Sequence, residues 1–296
     1  MEQVQIMKFF QRIKNSDKAG YVMSLPYIIS FLVFMAFPLI FSLILVFHKW
    51  NIVTPMEWVG LRNFVRLFQD IQFLKAITNT LVFILIHIPL QIIVALLLAV
   101  FLNQKIKFRG LFRATYFLPV VVSGVVITIL WQQLYAYETG LLNNLLTKLG
   151  MDKIPWITSP NWAMPSIAIM ATWKNVGLYI ILFLVGLQGV PGYMYEAADI
   201  DGAKAYQKFF HITLPALNST IVLVIILSTI GGFSLFIEPF VMTGGGPMNS
   251  TLSAMLYIYN QAFYFGHMGY AATLGFFFAF IILIVVLLQK KFVERK

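Results

Sequence analysis

The chain has 296 residues, of which 60% are hydrophobic and only 11% charged, with a mean hydropathy of +0.84. Soluble domains carry about 25% charged residues, so a water-soluble globular fold is excluded and the chain reads as an integral membrane protein. Cys is absent, which removes disulfides, thiolate metal sites and cysteine nucleophiles, and the four histidines (His48, His87, His211, His267) lack metal-ligand spacing.

Residues 1–18 interleave apolar and basic side chains, as an interfacial amphipathic lead-in does. A charge-free run from Lys18 to Lys49 follows and predicts a first span over 21–48. It is nearly twice as long as a signal-peptide apolar core and has no small-x-small site before Lys49. A spanning helix needs about 20 mostly apolar residues. By that measure further spans are predicted over 77–102, 111–135, 163–187, 215–238 and 268–289. The fold class is all-α, with six transmembrane helices. His87, beside Pro89 in span two, reads as a helix-packing residue. Lys174 in span four and Glu238 in span five read as lying toward span ends. Ala271, Gly275 and Ala279, four apart in span six, read as a packing stripe.

Lys and Arg distribute unequally between the two sides. The N-terminal segment holds Lys8, Arg12, Lys14 and Lys18, and the link between spans two and three holds Lys105, Lys107, Arg109 and Arg113. The link between spans four and five adds Lys204 and Lys208, and the C-terminus adds Lys290, Lys291, Arg295 and Lys296, fourteen in all. The opposite loops hold six: Lys49, Arg62, Arg66, Lys75, Lys148 and Lys153. Both termini are therefore expected on the cytoplasmic side. The net charge of +10 is explained by topology rather than by nucleic-acid binding.

No P-loop, H-E-x-x-H or G-x-S-x-G motif occurs, and no carboxylates pair closely within a span. Ion-coupled carriers bury Asp, Glu or His in their helices, and here only His87, Lys174 and Glu238 are available. A solitary channel or ion-coupled carrier of small polar solutes stands as the alternative reading, with an intramembrane enzyme third.

The segment Pro191–Pro215 carries the most information. Three of the eleven acidic residues, Glu196, Asp199 and Asp201, fall within six positions. Pro191 suits the first turn of a helix, with the acidic residues following early, where the macrodipole favours them. Gly202 sits where a residue of positive φ would end that helix. A second amphipathic piece leads to Pro215. Ala197, Ala198 and Ala203 leave the hairpin thin enough for another protein's backbone to approach.

This segment resembles the EAA loop of binding-protein-dependent ABC importers. Glu196, Ala197, Ala198, Gly202, Ile212, Leu214 and Pro215 match every specified position of that motif. Trp58 through Phe64, Phe112-Arg113 through Pro119, Trp131 with Gly140 through Asn143, Thr243 through Pro247, and Tyr257 through Phe263 resemble the carbohydrate branch of that family. The resemblance implies a type I ABC importer transmembrane domain over 75–289, with a coupling hairpin at 191–215. Residues 1–74 would be an N-terminal extension and 290–296 a cytoplasmic tail.

It further implies a permease subunit in a prokaryotic inner membrane, embedded in lipid and not itself an enzyme. This subunit would bind no cofactor. A second permease subunit would sit beside it, and two ATPase subunits carrying ATP and Mg would dock beneath. An external solute-binding protein would deliver a carbohydrate. Glu196 would anchor in a cleft of the ATPase, with Asp199, Ile212, Leu214 and Pro215 completing the coupling element. Polar or glycine interruptions mark a candidate substrate path at Ser123, Gly124, Asn175, Gly177, Tyr179, Ser228, Gly231, Gly232 and Ser234. Gly244, Gly245, Gly246 and Pro247 are candidate contacts for the binding protein.

The topology is directly testable because the chain lacks cysteine. A membrane-impermeant thiol reagent applied to intact cells is expected to label Asn249→Cys and to spare Lys204→Cys, whereas the opposite labelling would invert the arrangement.

Overall fold

In hydrocarbon every backbone N–H and C=O must be satisfied within the chain, so long apolar runs become helices. The computed structural model describes residues 20–104, 107 and 109–293. The predicted lead-in over 1–18 and the last three residues of the tail lie outside the described residues. In chain order the elements begin with α1 (Gly20–Leu45), a two-stranded ribbon of β1 (His48–Lys49) and β2 (Glu57–Trp58), and α2 (Arg62–Gln69). Next come α3 (Ile71–Asn103), α4 (Arg109–Val121), α5 (Gly124–Leu134), α6 (Leu141–Lys148) and α7 (Pro160–Gln188). The chain continues through α8 (Gly192–Ile200), α9 (Ala205–Lys208), α10 (Leu214–Ala216), α11 (Asn218–Phe233), α12 (Ile237–Met242), α13 (Ala254–Tyr259) and α14 (Met268–Val293). Wide π-helical turns at Phe209–Thr213 and Asn260–Tyr264 join α9 to α10 and extend α13.

Five segments are long and apolar enough to span a bilayer: α1, α3, α7, α11 with α12, and α14. The span predicted over 111–135 is instead two helices, α4 and α5, meeting at 101°. Pro119 lacks an N–H and clashes with the preceding turn, and α4 ends two residues beyond it. Ser123, with ψ 127°, then turns the chain into α5.

The core is built on α3 and α7, which run side by side in the same direction. Phe73, Ala76, Phe83 and Ile84 pack with Met164, Ile167, Ala168 and Ala171 at one end. Ala95, Ala99 and Leu102 pack with Ile180, Phe183, Leu184 and Leu187 at the other, where the 191–215 hairpin lies. The buried positions of α3 recur every three or four residues from Phe73 to Leu102, a single stripe along the helix. Its alanines let the backbones come close, the usual means of association where lipid tails compete with apolar side chains. By contrast, Leu45 is the one buried residue of Phe37–Leu45 in α1. In the stripe expected to pack in α14, only Ala271 is buried, and no atom stands within 4 Å of a Cβ built at Gly275.

At the end remote from the hairpin, single polar residues hold the connections. Asn63 Nδ2 donates to the carbonyls of Val46 (2.8 Å) and His48 (3.1 Å), tying α2 to the end of α1. Asn143 is fully buried: it donates to the carbonyls of Tyr137 and Ile154 and accepts from Ile154 N and Trp156 Nε1. Gly269 leaves no room for a side chain, because a Cβ there would stand 1.8 Å from the His48 carbonyl oxygen.

Asp70 joins three elements. Its carboxylate caps α3 through Phe73 N (3.0 Å) and accepts from Tyr257 Oη (2.7 Å) and Tyr270 Oη (2.5 Å), while Arg66 stacks on the Tyr270 ring at 3.9 Å. Burial pushes the Asp70 carboxyl up. The bonds from Tyr270, Tyr257 and Phe73, with the Arg66 guanidinium, outweigh it and hold the group below its ordinary 3.8. A depressed carboxylate stabilises the fold above its unfolded pKa and loses that contribution as pH falls through the folded value. Asp70→Asn keeps a helix cap but loses the charge, and is expected to cost about 1 kcal/mol near neutrality, after allowance for partial exposure. Melting curves of the detergent-extracted protein should show the two forms converging as pH is lowered below 3.8.

Candidate functional site

Apolar helices that cross a bilayer expose polar groups to one another only where lipid is kept out. A cavity of about 280 Å³ enclosed by α3, α4, α7 and α11–α12 is such a place. Its lining includes Asn175 and Tyr179 from α7, Ser228 and Gly231 from α11, and Ser234 from the break that follows. Five of the nine path candidates are therefore brought together. The pattern that identifies them, polar or small residues near mid-span, is also what allows a polar space to persist there.

The other four are not in its lining, although Gly124 borders it. Gly177 packs against α4, where a Cβ would stand 2.1 Å from the Tyr116 carbonyl oxygen. Gly232 is buried against Ile84 of α3. Ser123 is the exposed N-cap of α5. Gly124 follows it, and a Cβ at that position would lie 3.5 Å from Lys174 Nζ and 3.6 Å from Ile237 Cδ1.

The cavity also holds groups not expected there from the sequence. Lys174 stands at the middle of α7 rather than toward a span end, and its ammonium forms an ion pair with Glu238. Their side chains are 16% and 9% exposed. Glu238 lies in the first turn of α12, where the helix dipole favours a carboxylate. A sequence signal exists: these are the lone cation and the lone acid of two neighbouring spans, and unpaired charges are costly in hydrocarbon. His87 lines the same cavity, with Nδ1 2.8 Å from Thr172 Oγ1 and its ring stacked on Phe83. Behind this wall Gln91 donates to Ser228 Oγ at 2.8 Å.

The second candidate region is the hairpin. Pro191 is the N-cap of α8 rather than part of its first turn. The acidic residues consequently fall in the middle and at the end of a nine-residue helix, with no acid in its first turn, contrary to the expectation from the dipole. Lys208 compensates Asp199, Nζ to Oδ1 2.5 Å. Gly202 has φ 72°, and Gly202 N and Ala203 N donate to Asp199 O (3.1 Å) and Ala198 O (2.9 Å). These two bonds close the helix in a Schellman turn that requires a left-handed residue. Tyr195 Oη meets Thr213 Oγ1 at 2.9 Å across the hairpin.

Glu196 is exposed and forms no ion pair among the described residues. Ala197 is exposed beside it, and Ala198 is half-buried. Ile200 (87% exposed), Tyr193, Tyr206 and Phe210 present apolar surface on the same hairpin. Ile212 and Leu214 turn partly inward, and Pro215 sits in the first turn of α10.

The third region is the loop after α12. Gly244 and Gly245 have φ 61° and 90°, and Gly245 is packed on Leu252. Thr251 Oγ1 donates to the Gly246 carbonyl, next to Pro247. Asn79 of α3 donates to the carbonyls of Asn249 (2.7 Å) and Leu252 (3.0 Å) and so fastens the loop to the core.

Residues 71–296 match the family described as "Binding-protein-dependent transport system inner membrane component". The arabinooligosaccharides transport system permease protein AraP of Bacillus subtilis is 38% identical over 94% of this chain and 89% of its own length. The lactose transport system permease protein LacF of Rhizobium radiobacter is 37% identical over 92% of this chain and 93% of its own. Among solved structures, a chain of a bacterial alginate ABC transporter, in complex with an alginate pentasaccharide-bound periplasmic protein, superposes with a TM-score of 0.84. It is 27% identical over 96% of each chain.

The two kinds of glycine separate by substitution. Gly177→Ala drives a methyl group into the Tyr116 backbone and is expected to lower the melting temperature by several degrees. Gly231→Ala has nothing within 4 Å of the new Cβ and should melt as the parent does. Differential scanning fluorimetry of the extracted protein compares them.

Proposed function

The chain belongs to the family of binding-protein-dependent transport system inner membrane components, and from that membership we propose that it is the permease subunit of an ATP-driven importer of a carbohydrate. The names of its relatives, which include arabinooligosaccharide and lactose permeases, support the substrate class. In this reading the subunit forms half of a translocation pathway with a second, related permease. Two separate ATPase subunits bind ATP and Mg²⁺, and a solute-binding protein delivers the sugar to the side remote from the hairpin. Both termini and the hairpin face the cytoplasm of a prokaryotic cell, an orientation supported by the asymmetry of Lys and Arg.

The observation that carries the coupling role is the state of the hairpin. A carboxylate exposed with no ion-pair partner among the described residues, beside two alanines and within an apolar patch, is poorly explained by the needs of the fold. It fits a surface completed by another protein. Glu196 would meet a cation in the ATPase, while Ala197 and Ala198 permit close approach. Gly202 holds the angle between α8 and the chain leading through Ile212, Leu214 and Pro215 to α11. Asp199, bound to Lys208, keeps that angle from the other side.

The mid-span cavity would be this subunit's share of the sugar path. Hydroxyl-rich solutes need closely spaced donors and acceptors, and Asn175, Tyr179, Ser228 and Ser234 supply them. The loop over Gly244–Pro247 would receive the binding protein, its position fixed by Asn79.

Breaking a close charge pair at an interface costs about 2–5 kcal/mol. Glu196→Lys is accordingly expected to insert and fold normally yet to bind the ATPase at least tenfold more weakly or to uncouple hydrolysis from uptake. Gly202→Val, which strains a residue at φ 72°, should act in the same direction. Pull-down of the ATPase, together with sugar-stimulated hydrolysis in liposomes, measures both. Wild-type behaviour in the two variants would reduce the hairpin to an ordinary surface loop.

A further inference from the structure

The Lys174–Glu238 pair does more than satisfy two buried charges, an inference that rests on reading the mid-span cavity as the sugar path. The pair is part of the cavity wall. One oxygen of Glu238 accepts from Lys174, and the second has no hydrogen-bond partner among the described residues. An ammonium has three donors, of which Glu238 takes one. Gly124 borders Lys174: a Cβ there would already stand in van der Waals contact with the ammonium, at 3.5 Å. The other polar groups around the cavity, Asn175, Tyr179, Ser228, Ser234 and the Thr172-bonded His87, carry no fixed charge.

The wall is therefore formally neutral, yet it offers free ammonium donors beside a free carboxylate acceptor. A sugar hydroxyl is donor and acceptor at once, so adjacent hydroxyls can engage both members without separating them. A carboxylate-bearing sugar cannot. It would have to compete for Lys174, and its binding would leave two carboxylates against one ammonium in a medium that screens poorly.

We propose that the Lys174–Glu238 pair is a specificity determinant that admits uncharged saccharides to the pathway and rejects uronates.

The test uses the assembled importer in lipid nanodiscs, without its solute-binding protein, so that selection upstream does not mask selection in the membrane. Equilibrium binding is measured for neutral trisaccharides (maltotriose, arabinotriose, raffinose) and for trigalacturonate. The unaltered complex should prefer at least one neutral sugar by tenfold or more. Glu238→Gln leaves Lys174 unopposed and should shift the ratio of trigalacturonate to neutral affinity upward by at least tenfold. Ser234→Lys adds a positive charge while leaving the pair intact, and should move the ratio the same way; it decides the matter if Glu238→Gln does not assemble. The exchange Lys174→Glu with Glu238→Lys should restore the original preference.

A proportional loss of both affinities in Glu238→Gln, or an unchanged ratio in Ser234→Lys, would show the pair to be a structural strut and overturn the proposal while leaving the cavity as the path. Failure of the unaltered complex to bind any of these saccharides would overturn the cavity assignment and the proposal with it.

Discussion

An ammonium group halfway along a membrane-spanning helix has to be neutralised where it stands, and much of the mid-membrane architecture is arranged around that requirement. Lys174 sits at the centre of α7, about 20 Å along the helix from either end at 1.5 Å per residue. The helix α11 stops at Phe233, and the chain restarts as α12 with Glu238 in its first turn. On the other side, the turn at Ser123 brings a glycine rather than a bulkier residue under the ammonium. Three elements thus converge on one charge, and the polar space between them is what the bilayer would otherwise exclude. The neighbouring pairs His87 with Thr172 and Gln91 with Ser228 extend the same solution to α3, so the core is keyed by polar contacts as well as packed by alanine.

Much of the fold is legible in the sequence because the force that makes a spanning helix acts locally. An apolar run of two dozen residues with at most one charge has few alternatives in a membrane, and five such runs form spans near their expected limits. The sixth looks continuous in sequence and is not. Hydropathy integrates over a window and does not register that Pro119 and Ser123 together redirect the chain, since both are compatible with an apolar segment. The hairpin is legible for a different reason. Gly202 marks a backbone conformation that other residues adopt at a cost, so its position reads as a turn without knowledge of any contact. The direction of the dipole effect is not legible, because it depends on whether Pro191 lies inside or just outside the helix.

The candidate site is half legible. Asn175, Tyr179, Ser228, Gly231 and Ser234 stand out in sequence as polar or small interruptions, but Gly177 and Gly232 stand out equally and serve packing instead. Which face of a helix a residue occupies is set by its neighbours in space, and those neighbours are more than a hundred residues away for the Gln91–Ser228 contact. Two residues whose stretches resemble the family, with no purpose evident from sequence, have a structural one. Asn63 holds the end of α1, and Asn143 satisfies four backbone and indole groups in the loops on either side of α6.

The hairpin connects two of the helices that wall the cavity, α7 and α11, and it does so nearly symmetrically. From Gln188 to Lys174 along α7, and from Asn218 to Gly231 along α11, the distance is about 20 Å in each case at 1.5 Å per residue. The hairpin is thus the common foot of two arms of equal length. If it tilts as a block by about 10°, both walls move by about 3–4 Å at cavity height, in the same sense and by the same amount. Such a linkage carries the cavity sideways with little change in its width. Opening or closing on this subunit's side would then have to come from motion against a surface that does not share the foot, such as α3, which contributes Phe83 and His87 to the wall, or a neighbouring subunit.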